Sequence, residues 1–422
     1  MKRIITFLLL LIMFLFPVTD IDSKTISFTQ LWEHANLHNE GTSIFKPEII
    51  EHQGYIYANY GNVLYVFQQS TGKDLFSYIP IIDGDLYLIL NIEIYGKALY
   101  AFIINNEAIK GSNRYNMKFF FFKLNIENFK IDWIQKCQYA YTRYFFVHNE
   151  IYLFNMTLSM TSCFDRYDIE TGCYLGSIEL LLPEDLILVT MPSSYNQDIN
   201  QVWLFFFQKA SEHNLIASLH IYRFEIESGQ FIEPIIIPLD PSFCINLSAF
   251  SFYPMLYRKN LLFAEYRILN KYVLIKINIK TKMVDWIYES NDIIQEIIPN
   301  PIDKNSLYLR EGLNSYRKIN LHNKNSLHSW ELKDMDANYS SYSASSCFEN
   351  IIATRFVHYF VVSDVNTGKI LWMKQSEKPD RYKDVAEIGF SSPIIKKLDQ
   401  YKYQILYTLE DQIGLLEINL QN

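Results

Sequence analysis

Eight polar positions recur along this chain with one chemistry in common: Gln68, Asn125, Asp168, Glu225, Asn278, Asn320, Asp364 and Asn419 each carry a side-chain oxygen, and the first seven stand just before a short polar turn. If they converged, these carboxylates and amides would form a ligand or metal site. Spread one per repeat, they instead hydrogen-bond the turn backbone two residues on, and Gly72, Gly172, Gly229 and Gly368 supply residues that accept positive φ. The recurrence itself favours the turn reading. His34 and His38 stand four apart, a spacing that would place two imidazoles on one face of a helix. The segment around them, ISFTQLWEH (26–34), reads as a strand, so no metal site is expected there. The cysteines, at 137, 163, 173, 244 and 347, are odd in number and show no Cys-x-x-Cys spacing. Cys163 and Cys173 flank one turn and would suit a pair in an oxidising compartment; buried free thiols, which pack as small core residues, are the preferred reading. No nucleophile elbow, phosphate loop or zinc helix occurs in the sequence. No catalytic, cofactor-binding or metal-binding residue is assigned.

The elements that position these residues follow from the repeat. LYVFQQSTGKDLF (64–76), FDRYDIETGCYLG (164–176), IYRFEIESGQFIE (221–233) and FVVSDVNTGKILW (360–372) share one frame. FFKLNIENFKIDW (121–133), LIKINIKTKMVDW (274–286) and YRKINLHNKNSLHSW (316–330) keep the frame without the turn glycine. The units close at Phe76, Trp133, Gly176, Glu233, Trp286, Trp330 and Trp372, a period of about 50 residues that fits four short strands plus turns. Trp32 stands one period before Phe76 with no turn ahead of it, whereas IGLLEINLQN (413–422) stops where its turn should begin. The two ends complement each other. The expected fold is therefore all-β: an eight-bladed β-propeller over residues 24–422, with seven blades as the alternative and the N-terminal strand closing the last blade.

Composition agrees with this reading. Aromatics make up 16% of the 422 residues, and 31 Tyr and 30 Phe suit pleated, half-buried strands. A net charge of −8 without a Lys/Arg run lacks the footprint of a nucleic-acid binder. Met1-Lys2-Arg3 followed by the apolar run 4–16 reads as a signal peptide over residues 1–23. That run rises about 20 Å as a helix, short of the ~30 Å hydrocarbon core, so no transmembrane span is expected beyond an uncleaved signal. An exported location, periplasmic or extracellular, follows.

The repeat resembles that of PQQ-type, or quinoprotein-like, β-propellers, whose units run aromatic-x-apolar-Asp-x-x-Thr-Gly and end on Trp; 64–76 and 360–372 match best. The resemblance implies that Trp32, Trp133, Trp286, Trp330 and Trp372, with Phe76 at the same place, pack between neighbouring blades. It would also admit a quinone-dependent dehydrogenase, but the adjacent Cys-Cys pair of those enzymes is missing and eight blades use up the chain. No cofactor is expected. The architecture is similar, too, to the propeller lipoprotein of the bacterial outer-membrane barrel-assembly machinery, although no cysteine near the signal offers a lipid-attachment thiol. The expected role is a non-catalytic scaffold for a protein or peptide partner. Its candidate loops are 104–116, 208–218 and 181–200, because connecting loops vary without disturbing the blades.

Overall fold

The computed structural model describes residues 25–35, 37, 48–105, 118–137, 143–156, 162–180, 186–190, 195–196, 201–208, 218–225, 228, 230–238, 255–257, 261–268, 271–312, 314–323, 325–332, 343–356, 358–376, 392–409 and 412–421. Within them the chain is all-β: eight small antiparallel sheets stand in a ring and form an eight-bladed β-propeller. Blade 1 comprises Ile49–His52, Tyr55–Tyr60, Val63–Gln68 and Asp74–Tyr78. Blade 2 comprises Asp85–Tyr95, Ala98–Asn105, Phe119–Asn125 and Lys130–Cys137, with Ile81–Ile82 added beside its first strand. Blade 3 is built from Arg143–Val147, Glu150–Met156, Ser162–Asp168 and Tyr174–Leu180, and blade 4 from Leu186–Thr190, Gln201–Gln208, Ser218–Glu225 and Gln230–Pro238, with Tyr195–Asn196 beside the second of these. Met255–Tyr257, Leu261–Ile268, Lys271–Asn278 and Met283–Ser290 make blade 5, and Ile294–Pro299, Ser306–Glu311, Ser315–Asn320 and Ser326–Glu331 make blade 6. Blade 7 follows with Ser343–Phe348, Ile351–Phe356, Tyr359–Asp364 and Ile370–Gln375.

Blade 8 takes three strands from the C-terminal end, Ile394–Lys397, Lys402–Leu409 and Gln412–Gln421, and its fourth from the N-terminal segment Thr25–His34. That strand pairs antiparallel with Gln412–Gln421 from Thr25 opposite Gln421 to His34 opposite Ile413, with one bulge between Gln30 and Trp32. Closure removes the free strand edge that would otherwise terminate the ring.

Side chains explain why each blade is layered as it is. Second and third strands are nearly continuous runs of buried residues, as in Ala98–Asn105 and Phe119–Asn125, because both of their faces meet a neighbouring blade. Fourth strands alternate exposed and half-buried residues, as in Lys130–Cys137 and Ile370–Gln375, and so form the outer wall. Core clusters accordingly span blade junctions: Tyr100, Phe102, Phe119 and Phe121 of blade 2 pack with Tyr144, Phe146, Leu153 and Tyr167 of blade 3.

Candidate functional site

Antiparallel order fixes which connections share a rim. First-to-second and third-to-fourth strand turns lie on one rim, and second-to-third turns and blade-to-blade connections lie on the other. The first rim is therefore mostly one of tight turns, the longest exception being the stretch between Thr190 and Gln201. The second receives the long connections that follow His34, Asn105, Gln208, Pro238, Glu331 and Gln375.

On the tight-turn rim the recurring polar residues are used up by the turn backbone. Asp168 Oδ1 accepts hydrogen bonds from the Glu170 and Thr171 amides and from Thr171 Oγ1, at 3.1, 2.8 and 2.7 Å. Asp364 repeats this with Asn366 and Thr367. These donors, led by the Thr171 hydroxyl, hold the Asp168 carboxyl below its ordinary range. Asn125, Asn278 and Asn320 accept from the amide two residues on, and Gln68 accepts from Thr71 Oγ1. The Glu225 main-chain oxygen accepts from Ser228 Oγ at 3.5 Å, and residues 226, 227 and 229 of that turn lie outside the described residues. Asn419 stands in the ladder opposite Ser27, inside the strand Gln412–Gln421.

The turn glycines have a second task. Gly72, Gly172 and Gly368 adopt φ near +70°, and a Cβ on them would stand 2.7 Å from Trp32, 2.8 Å from Trp133 and 3.0 Å from Trp330. Each of these tryptophans comes from the fourth strand of the preceding blade and lies flat under the next blade's turn. Trp32 Nε1 also donates to Gln69 O at 2.7 Å. At the junction of blades 1 and 2 both partners differ: Phe76 stacks on Phe129 at 5.3 Å, and Phe129 itself takes φ +55° at the glycine position. Trp372 packs edge-on against Phe360 and Tyr407, the latter in blade 8. The Trp286 backbone pairs with Lys276, and its side chain lies outside the described residues.

Sequence reading missed a second row of residues two positions before the turn residue. Lys123 and Lys276 cross to the next blade, Lys123 to Glu170 at 2.7 Å and Lys276 to Leu321 O at 2.9 Å, while Arg166 clasps Glu150 within its own blade. The signal was visible as a Lys or Arg at that place in five consecutive units, from blade 2 to blade 6. A groove of about 340 Å³ opens beside Lys123 between blades 2 and 3, lined by Tyr95, Lys97, Asp132, His148 and Glu170 among others.

The other chemically able residues are dispersed. Cys163 and Cys173 are free thiols. Cys163 lies five residues up the strand from Asp168, whose amide bonds Cys173 O. The two are thus about 16 Å apart along the strand, far beyond disulfide reach. Burial pushes the Cys347 thiol up to about 12, and the buried Cys137 thiol is raised as well. His34 stacks on Phe67 at 4.6 Å and bonds Gly72 O, while His38 lies outside the described residues. Among the described residues no group of three or more His, Cys, Asp or Glu is placed to share a metal, and no helix is long and apolar enough to cross a membrane. Loops 106–117 and 209–217 lie outside the described residues. The stretch 181–200, expected as one long connection, is interrupted by the strands Leu186–Thr190 and Tyr195–Asn196, so its ends leave on opposite rims.

This geometry defines an eight-bladed β-propeller. No family model matches the chain, and no curated protein matches it in sequence. Solved structures match in fold. BamB from Moraxella catarrhalis aligns with a TM-score of 0.55 at 9% identity, over 93% of this chain and all of that one. Sqt1 of Saccharomyces cerevisiae aligns at 0.56 and 9%, covering 94% of this chain and all of its own. The quinohemoprotein alcohol dehydrogenase ADHIIG from Pseudomonas putida HK5 aligns at 0.54 and 10%, over 96% of this chain and 78% of the enzyme. At such identities the likeness is one of fold.

Proposed function

We propose that the chain is an exported, non-catalytic propeller that holds a protein or peptide partner on the rim of long connections. The observation that carries this reading is the division of labour between the rims. The recurring carboxylates and amides stabilise tight turns on one rim, while topology delivers the long connections to the other, where a loop can change without disturbing the strands that carry it. Export is supported by the sequence before the ring: the first described strand begins at Thr25, directly after the basic and apolar leader over 1–23.

Affinity capture from the native envelope or secretome tests the reading, using the full chain beside a version with 106–117 and 209–217 replaced by short Gly-Ser turns. Retention of a specific partner by the full chain and its loss from the shortened one is the expected result. Equal capture by both overturns the assignment of the rim. A quinoprotein-type enzyme, the competing reading, predicts absorbance changes and dye-linked oxidation on titration with PQQ and calcium; silence in both is expected.

A further inference from the structure

Blades 2 and 5 carry the same third-strand lysine, but their junctions with the next blade close differently. Lys276 of blade 5 is buried against the blade 6 turn, donating to Leu321 O at 2.9 Å and standing 3.2 Å from Asp285 of its own fourth strand. Lys123 holds that place in blade 2. Blade 3, however, has Glu170 where blade 6 has His322, and Lys123 leans out to that carboxylate at 2.7 Å. Asp132, the counterpart of Asp285, is left 3.9 Å from the ammonium. The groove of about 340 Å³ opens here, on the tight-turn rim between blades 2 and 3. Its volume falls at the small end of the range of small-molecule sites.

The charges of the groove are already matched within the chain. Lys97 pairs with Glu127 at 2.8 Å and Lys123 with Glu170 at 2.7 Å, so an anion would have to displace a carboxylate from its lysine. The groups left open are mostly neutral. Among the described residues no side-chain hydrogen bond engages the His148 ring or the Asn149 amide, both on the first hairpin of blade 3. Asn125 Oδ1 accepts from the Glu127 and Asn128 amides, which leaves its Nδ2 to donate. Asp132 stands beyond hydrogen-bond reach of Lys123. On the opposite wall Tyr95 is fixed by its stack on Phe146 at 4.8 Å and keeps 38% of its surface exposed, and a Cβ on the adjoining Gly96 would meet only open space.

Donors and acceptors set side by side with their charges cancelled, next to an aromatic ring held in place, complement a pyranose: its hydroxyls both donate and accept, and its C–H face is apolar. We propose that this groove binds a neutral sugar of one or two pyranose rings, its apolar face on Tyr95 and its hydroxyls on Asp132, His148 and Asn149. The site lies on the rim opposite the long connections. It therefore stands independently of the function proposed above.

Saturation-transfer NMR on the full chain tests it with the methyl glycosides of glucose, galactose, mannose and N-acetylglucosamine. A saturable response from one or more of them is expected. Asp132→Ala is expected to raise the dissociation constant at least roughly tenfold, since a hydroxyl donating to a carboxylate is among the stronger hydrogen bonds, and Asn149→Ala about fivefold. Both side chains are exposed, so circular dichroism and melting temperature should stay as they are. The version with 106–117 and 209–217 shortened is expected to bind the glycoside as the full chain does, which keeps failure of this site distinct from failure of the long-connection rim. Silence from all the glycosides, binding that survives both substitutions, or displacement of the bound glycoside by inorganic phosphate would each overturn the proposal.

Discussion

The junction of blades 3 and 4 and the junction of blades 6 and 7 are held by different physics. The junction of blades 3 and 4 is aromatic through its depth: Phe145, Tyr152, Phe154 and Phe164 face Phe206 and Phe224, and Phe164 and Phe224 lie 4.8 Å apart. Between blades 6 and 7 the apolar cluster is joined by a buried polar seam. Glu296 accepts from the Ser345 amide and Oγ at 2.7 Å each, Ser345 and Tyr316 both bond Thr354 Oγ1, and Arg310 stands 4.0 Å from Glu296 and over Phe356. Between blades 7 and 8, Arg355 reaches Thr408 at 2.6 Å. An aromatic junction needs volume and tolerates variation in shape. A polar seam needs every partner, since a buried donor left unpaired costs about 1–3 kcal/mol.

The ring breaks most completely where its two ends meet, at blade 8. Deleting residues 24–34 removes the outer strand of that blade, the Trp32 contact with Gly72 and the Tyr407 bonds to Gln30 and Glu33. Loss of the cooperative thermal transition is expected, and an unchanged melting temperature would disprove the closure.

Next in size is the pair that sets the two kinds of junction against each other. Phe164→Ala is expected to cost about 3–5 kcal/mol and Phe164→Leu about 1.5 or less, because volume governs that site. Glu296→Ala is expected to cost about 2–4 kcal/mol, and the similarly sized Glu296→Met no less than about 2, because filling the space does not restore the acceptor for Ser345. Urea midpoints of the four variants check this. If Phe164→Leu and Glu296→Met cost the same, the distinction fails.

The turn glycines offer a smaller contrast. Gly172→Ala meets both an unfavourable φ and the Trp133 ring, whereas Gly96 at φ +60° has open space where its Cβ would go. Expected costs are about 2–4 and about 1 kcal/mol, read as the difference in unfolding midpoints.

The smallest effect is in pH. The Arg166 guanidinium holds the Glu150 carboxyl below its ordinary range. A depressed folded-state value adds stability at pH above the unfolded carboxyl pKa, and that stability is lost as pH falls through the folded value. Glu150→Gln is therefore expected to destabilise at pH 7, by less than about 1 kcal/mol for so solvated a pair, and to lose that effect near pH 2, where the Glu150 carboxyl of the parent is protonated in the folded and the unfolded state alike. Unfolding midpoints of the two proteins that stay parallel across this range would refute the assignment.

Much of the fold was legible because it is written locally. Asp168, Asp364 and Asn125 before their turns, glycine, Phe129 or Lys282 at φ of +55 to +71° within them, and an aromatic closing five of the seven intact units mark the hairpins. Even the split blade could be read, since ISFTQLW and IGLLEINLQN are halves of one pattern. Stretch 181–200 was misjudged as a single connection because a five-residue apolar strand, Leu186–Thr190, carries no signal that tells it from a hydrophobic loop. Glu296, Arg310 and Ser345 were invisible for another reason: nothing in their local sequence says that they meet.

The sequence by itself determined the number of blades, their order and the way the ring closes, because each repeat carries its own turn chemistry and the ends carry complementary halves. Tertiary structure alone decided which residues face each other across a junction. It put Trp133 under Gly172 and Glu296 beside Ser345. Those meetings depend on the angle between successive blades, a property of the packed ring that no single repeat contains.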